Sequence, residues 1–147
     1  MVSCHGRSIE TLGFIVIKLR HSTVTPQSLH PTLGGYSHAV EVLPNYRYLF
    51  VSGQIPVRPD GTVPDNFPDQ CNAVWDNVAS VLYHAEYEFA DLVKVTTFLS
   101  AATYGDENGR IRRTRLGDVQ PALTVVITGI YDKAWLLEIE VVAARPA

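Results

Sequence analysis

The feature that most constrains this chain is an apolar strand near its C-terminal end that carries two carboxylates, Leu137-Glu-Ile-Glu-Val141. Side chains alternate faces along a strand, so Glu138 and Glu140 share one face while Leu137, Ile139 and Val141 share the other. Such a strand has one side to bury and another on which an acid needs a reason. Upstream, Pro121-Ala-Leu-Thr-Val-Val-Ile-Thr-Gly-Ile130 opens with a proline and runs through β-branched residues, which reads as a buried strand. The short polar connection Tyr131-Asp-Lys-Ala134 predicts that the two stretches form a closing hairpin. An active site is expected beside the acid-bearing strand.

Residues 1–34 read as a leader followed by a first short strand and a loop, and residues 35–147 as one domain. Phe14 to Leu19 is the short strand; His21 to Leu33, with Pro26 and Pro31 ahead of Gly34-Gly35, is the loop. Tyr36 to Leu43 alternates, Pro44-Asn45 supplies a turn, and Tyr48 to Gly53 follows as a second strand, so Tyr36 to Gly53 predicts a β-hairpin. Apolar residues at 67, 71, 74, 75, 78, 82 and 85 form a helical stripe, with Asp65 or Asn66 as N-cap. This helix should end near Glu86, without the glycine that favours a C-cap. Asp91 to Leu99 reads as a strand and Gly105 to Leu116 as a second, charged helix broken by Gly117-Asp118.

The order β-β-α-β-α-β-β predicts an α+β fold, a mixed β-sheet with two helices on one face. The other face is then left for other subunits to cover. A formal net charge of −3 argues against nucleic acid or an acidic membrane as partner. The basic cluster Arg110 to Arg115 is short and lacks interleaved aromatics. Its helix is expected to be solvated by its charges, with at most one or two arginines reaching a cleft. Cys4 and Cys71 have no partner at metal-ligand spacing, so no metal site or disulfide framework is expected, and Cys71 reads as a core thiol. The run Gly13-Phe-Ile-Val-Ile17 stops at Lys18, too short for a signal-peptide core or a membrane span, which fits a reducing cytoplasm.

Five stretches in series carry a resemblance: Leu49-Phe-Val-Ser-Gly-Gln-Ile-Pro56; the helix with Gln70 and Asp76-Asn-Val78; Asp91-Leu-Val-Lys-Val-Thr-Thr-Phe-Leu99; Pro121-Ala122; and Leu137-Glu-Ile-Glu140. In order and spacing they resemble the Rid family of reactive intermediate deaminases, also called YjgF or L-PSP endoribonucleases, over roughly Gly35 to Arg145. The resemblance implies a chorismate-mutase-like fold, assembled as a homotrimer with a central β-barrel and clefts between neighbouring subunits. It implies hydrolysis of enamines and imines to 2-oxo acids and ammonia, with no cofactor and no metal.

The resemblance also implies site residues. Glu138 matches the family's site glutamate, which positions or deprotonates water; the alternative is a structural hydrogen bond. Tyr36 matches a cleft tyrosine, and His38, two residues on, is either an added acid–base group or packing. Ser52 and Gly53 match a Ser-Gly-Gln motif where the backbone approaches ligand, and Asn108 loosely matches a family asparagine. An arginine after the Pro-Ala pair holds the substrate carboxylate in the RidA branch; here that position is Leu123, which cannot. Leu123 and Trp135 instead suit an apolar pocket for a larger or neutral ligand. The reading is therefore an imine or enamine hydrolase other than a standard 2-imino-acid deaminase. The alternative is a non-catalytic trimer that binds a small molecule.

Overall fold

The computed structural model describes residues 21–32 and 34–147. The expected strand at Phe14 to Leu19, the leader before it and Cys4 lie outside these residues. A small antiparallel ladder pairs β1 (Ser22–Val24) with β2 (Ala39–Glu41). The stretch read as loop from His21 to Leu33 therefore contains a strand, which three residues of Ser, Thr and Val were too few to reveal.

The main sheet contains β3 (Tyr46–Gln54), β4 (Leu92–Leu99), β5 (Ala122–Ile127) and β6 (Leu137–Pro146), in the spatial order β3-β6-β4-β5. Helices α1 (Phe67–His84) and α2 (Gly105–Leu116) complete the α+β fold. β6 runs antiparallel to both β3 and β4, while β4 and β5 are parallel. Parallel neighbours need a crossover, and α2 supplies it.

Neither expected hairpin forms. β2 pairs with β1, and β3 pairs with β6 from Tyr46↔Pro146 to Gln54↔Ile139, so Tyr36 to Gly53 is not a hairpin. Alternation sets which face a residue takes and says nothing about which strand lies alongside. In the closing stretch, β4 lies between β5 and β6. The connection from β5 to β6 is held on α1 instead of turning tightly. Gln70 Nε2 donates to the Ala134 carbonyl at 2.9 Å and to the Pro64 carbonyl at 2.8 Å, and Gln70 Oε1 accepts from the Leu136 N–H at 2.8 Å. β5 is also not a buried strand: it is the sheet edge, and its residues from Thr124 onward are exposed.

The faces of β6 fall as the alternation requires. Leu137, Ile139 and Val141 are fully buried against α1, whose Cys71, Val74, Trp75, Val78 and Leu82 form the facing layer. Full burial of such side chains is worth about 1.5–3 kcal/mol each, so this layer drives the fold. Asn66 caps α1, its side chain accepting from the Asp69 N–H at 2.9 Å. The helix ends at His84, and its C-terminal turn is closed without glycine. Glu86 takes φ 63°, the Glu86 N–H donates to the Tyr83 carbonyl, and the Tyr87 N–H donates to the Leu82 carbonyl at 2.7 Å. That pair of bonds is the Schellman pattern, with glutamate in glycine's usual place.

Among the described residues no helix lies over the opposite sheet face. Tyr48, Phe50 and Val126 point outward from it, Phe50 being 77% exposed. No helix among the described residues is long and apolar enough to cross a membrane.

Candidate functional site

A cleft of about 620 Å³ opens between the first two turns of α2, the edge strand β5 and the segment before β2; Tyr36, Asn108, Arg112, Leu123 and Val125 are among the residues that line it. Tyr36 is placed by its neighbour. The Ser37 N–H donates to the Pro121 carbonyl at 3.2 Å, and Ser37 Oγ donates to the Gln120 carbonyl at 2.8 Å. The segment is thereby fastened to the start of β5, with Ser37 bridged in parallel to Ala122. Leu123 lies opposite Val95 on the helix-covered side of the sheet, where it packs partly on the core.

The α2 residues come from one stripe. Asn108, Arg112 and Leu116 are spaced by four and are all buried, together with Ile111. Arg112 is only 5% exposed. The default of a solvated charge does not hold for Arg112, and Arg112 and Arg113 are the one or two arginines expected to reach a cleft. The same four-residue spacing in the sequence was the signal that could have found it. The four arginines of α2 divide. Arg110 binds Glu107 at 2.6 Å, and Arg115 reaches α1, binding Asp76 at 2.7 Å and Asn72 Oδ1 at 2.8 Å. Among the described residues Arg112 and Arg113 have no carboxylate partner within 4 Å, and Arg112 Nε and Asn108 Oδ1 have no hydrogen-bond partner. Burial pushes the Arg112 pKa down, as does the neighbouring Arg113 charge, while Tyr36 opposes the shift.

The structure does not bring Glu138 to this cleft within one chain. Glu138 pairs with Phe98, and Leu123 with Val95, three residues apart on β4 and hence on opposite sheet faces. Glu138 stands on the uncovered face, half-buried beside Gly53. A Cβ at Gly53 would fall 1.8 Å from Glu138 Oε1, so glycine is what lets the carboxylate lie against β3. Ser52 is exposed on the same face, next to Phe50's neighbour Val51 in the strand but pointing away from the core. Glu140 shares the face and is exposed.

His38 is half-buried at the rim. Its Nε2 donates to the His30 carbonyl at 2.9 Å, and its ring lies edge-on to those of His30 and Tyr36, at 5.2 and 6.3 Å. Trp135 packs near Tyr131 in the connection before β6 and does not line the cleft. Cys71 is a core thiol, fully buried. Among the described residues no three His, Cys, Asp or Glu side chains cluster to hold a metal. Several residues of the resembling stretches prove to be structural. Gln70 holds the β5–β6 connection, Asn77 Nδ2 donates to the carbonyls of Ile55 and Val57, both at 2.9 Å, and Asp76 anchors Arg115.

The fold and sequence have clear relatives. The family model of endoribonuclease L-PSP matches residues 27–145. A RutC family protein of Pyrococcus horikoshii is 30% identical over 115 residues, which cover 77% of this chain and 89% of that protein. The crystal structure of yeast Mmf1 superposes with a TM-score of 0.64 at 25% identity, covering 85% of this chain and 98% of that one. A Rid family protein of Yersinia pestis, YyfB, shares the fold with a TM-score of 0.75 at 24% identity, covering 84% of this chain and 98% of that one. With its sheet order, its two helices on one face and a family match over most of its length, this chain belongs to the Rid (YjgF, endoribonuclease L-PSP) family.

Proposed function

We propose that the protein hydrolyses a small imine, enamine or related C=N compound, without cofactor, in a site shared between two copies of the chain in a homotrimer. One copy contributes the cleft with Tyr36, Asn108 and Leu123; the next contributes the uncovered face with Ser52, Gly53 and Glu138. The observation that carries this reading is the division of the candidate residues. They lie on opposite faces of one sheet, and the Glu138 face exposes Tyr48, Phe50 and Val126 with no helix over it among the described residues. An apolar face of that kind is relieved by a neighbour, and cyclic packing brings the open face of one copy against the edge of another.

In such a site Glu138 takes a proton from the water whose oxygen bonds to the C=N carbon and passes it to the nitrogen. The carbinolamine then gives its hydroxyl proton through Glu138 to the amine, which leaves as ammonia as the C=O bond forms. Tyr36 offers a hydroxyl to substrate or water. Leu123 stands where the RidA branch has its arginine, which sets this chain apart from a standard 2-imino-acid deaminase.

The test combines assembly with turnover. Light scattering at micromolar concentration should give three times the monomer mass, and Phe50→Asp should lower it. Ammonia release from a panel of neutral and carboxylated imines should exceed the buffer rate and fall at least a hundredfold in Glu138→Gln. A monomeric wild type, or a panel turned over at the buffer rate, sinks the reading. Ligand binding with no turnover would leave the protein a small-molecule-binding trimer.

A further inference from the structure

Among the described residues, Arg112 is a buried cation with no counter-charge. It is only 5% exposed, its Nε has no partner, and beside it in the cleft stand a second guanidinium, Arg113, and a buried amide oxygen, Asn108 Oδ1, also unpartnered. An uncompensated buried charge is costly, and folded chains seldom retain one without use. The contrast along α2 sharpens the point, because Arg110 and Arg115 are both paired to carboxylates. Among the described residues Asp106 is the one acid lining the cleft, and it is exposed and forms no ion pair with either arginine. Backbone is cleared for the two arginines on the far side. Gly35 has φ +70°, and a Cβ there would fall 2.8 Å from Arg113 Cγ and 3.8 Å from Arg112 Nη2.

We propose that Arg112 is the anion anchor of this cleft, receiving the carboxylate of a small organic acid whose apolar part lies on Leu123 and Val125. A planar guanidinium matches a carboxylate with two parallel hydrogen bonds, and the anion supplies the charge that the protein withholds. Arg113 adds long-range attraction from the rim. Asn108 accepts from an N–H or O–H of the same ligand, so the ligand class is a short-chain acid bearing a hydrogen-bond donor next to its carboxylate. Leu123 is then part of the wall, and the anchoring cation comes from the helix instead of the strand. This inference uses the cleft of the proposed function, and narrows its substrates to acids.

The probe is 2-hydroxybutanoate, whose O–H stands next to its carboxylate, with the neutral 2-hydroxybutanamide as control, titrated calorimetrically into the full-length protein. Saturable binding of the acid and not of the amide is expected. Arg112→Met should weaken it on the order of tenfold to a hundredfold, the range for losing hydrogen bonds to a charged group. Arg112→Lys should recover only part of that, because a point charge lacks the fork. Arg110→Ala should leave it unchanged. Should Arg112→Met fail to fold, Val125→Glu places a competing carboxylate at a partly exposed wall position and should weaken the acid comparably. Equal affinity for acid and amide, equal binding by wild type and these variants, or tighter binding of inorganic phosphate than of the acid would each overturn the proposal. Acid binding without imine turnover would retain the anchor and remove the hydrolase. Turnover of neutral imines that Arg112→Met leaves intact would do the reverse.

Discussion

Gly53→Ala tests whether the position of the Glu138 carboxylate, as well as its presence, matters. The added Cβ would lie 1.8 Å from Oε1, 2.7 Å from Cδ and 2.9 Å from Cγ of Glu138. Ordinary carbon–oxygen contact begins near 3.5 Å, so the carboxylate must retreat by about 1.7 Å. Gly53 has no positive φ, so alanine brings no backbone strain of its own. The clash falls on the far end of a flexible side chain, and moving Glu138 off its rotamer costs about 0.5–1.5 kcal/mol. Loss of glycine's freedom in the unfolded chain offsets roughly 0.4–1 kcal/mol of that. Stability should therefore change by no more than about 1 kcal/mol, a few degrees in Tm for a chain of this size. Turnover should suffer far more, because displacing a catalytic group by an ångström costs on the order of a hundredfold. Differential scanning calorimetry and steady-state ammonia release, with Glu138→Gln beside them, read the two effects separately. A Gly53→Ala protein with wild-type kcat/KM, alongside an inactive Glu138→Gln, would refute the geometry. Wild-type rates in both would refute the role of Glu138.

Four further outcomes are expected. Mixing inactive Glu138→Gln chains with inactive Tyr36→Ala chains and reassembling them should restore up to about a quarter of wild-type activity, since random pairing rebuilds one intact shared site in four; no recovery would place each site within one chain. Gln70→Ala strips two carbonyls and one N–H of their partner, and should cost roughly 2–4 kcal/mol in urea denaturation. Gly35→Ala, at φ +70° and 2.8 Å from Arg113 Cγ, should cost about 1–2 kcal/mol and disturb the cleft, read as weaker binding of 2-hydroxybutanoate. Burial pushes the Cys71 thiol up to about 12, so the folded state holds its proton where the unfolded state has lost it. The unfolded state then binds fewer protons, and the thiol's contribution to stability, full below the ordinary value of 9.0, is lost as pH rises from there toward about 12. Cys71→Ala should flatten that alkaline decline, and the native thiol should resist alkylation at pH 8.

The amino-acid sequence by itself determined which residues alternate and which repeat helically, because those patterns are local. From them came α1 with its buried stripe, the split of β6 into a core face and an acid face, and the core place of Cys71. The resembling stretches brought the family with them. Strand partners were not legible: the turn-like residues at Pro44-Asn45 and Tyr131 to Ala134 suggested two hairpins, and both are absent. Pairing is decided across the whole chain, where β4 takes the position between β5 and β6 and Gln70 holds down the connection that would have turned. The meaning of the site moved for the same reason. Glu138 and Leu123 are close in sequence and stand on opposite sides of one sheet. Arg112 looked like one solvated charge among several until the fold buried it near Gly35 and Tyr36. A charge's cost depends on what surrounds it, and only the tertiary structure shows that Arg110 and Arg115 are paired while Arg112 waits, buried, beside an open cleft.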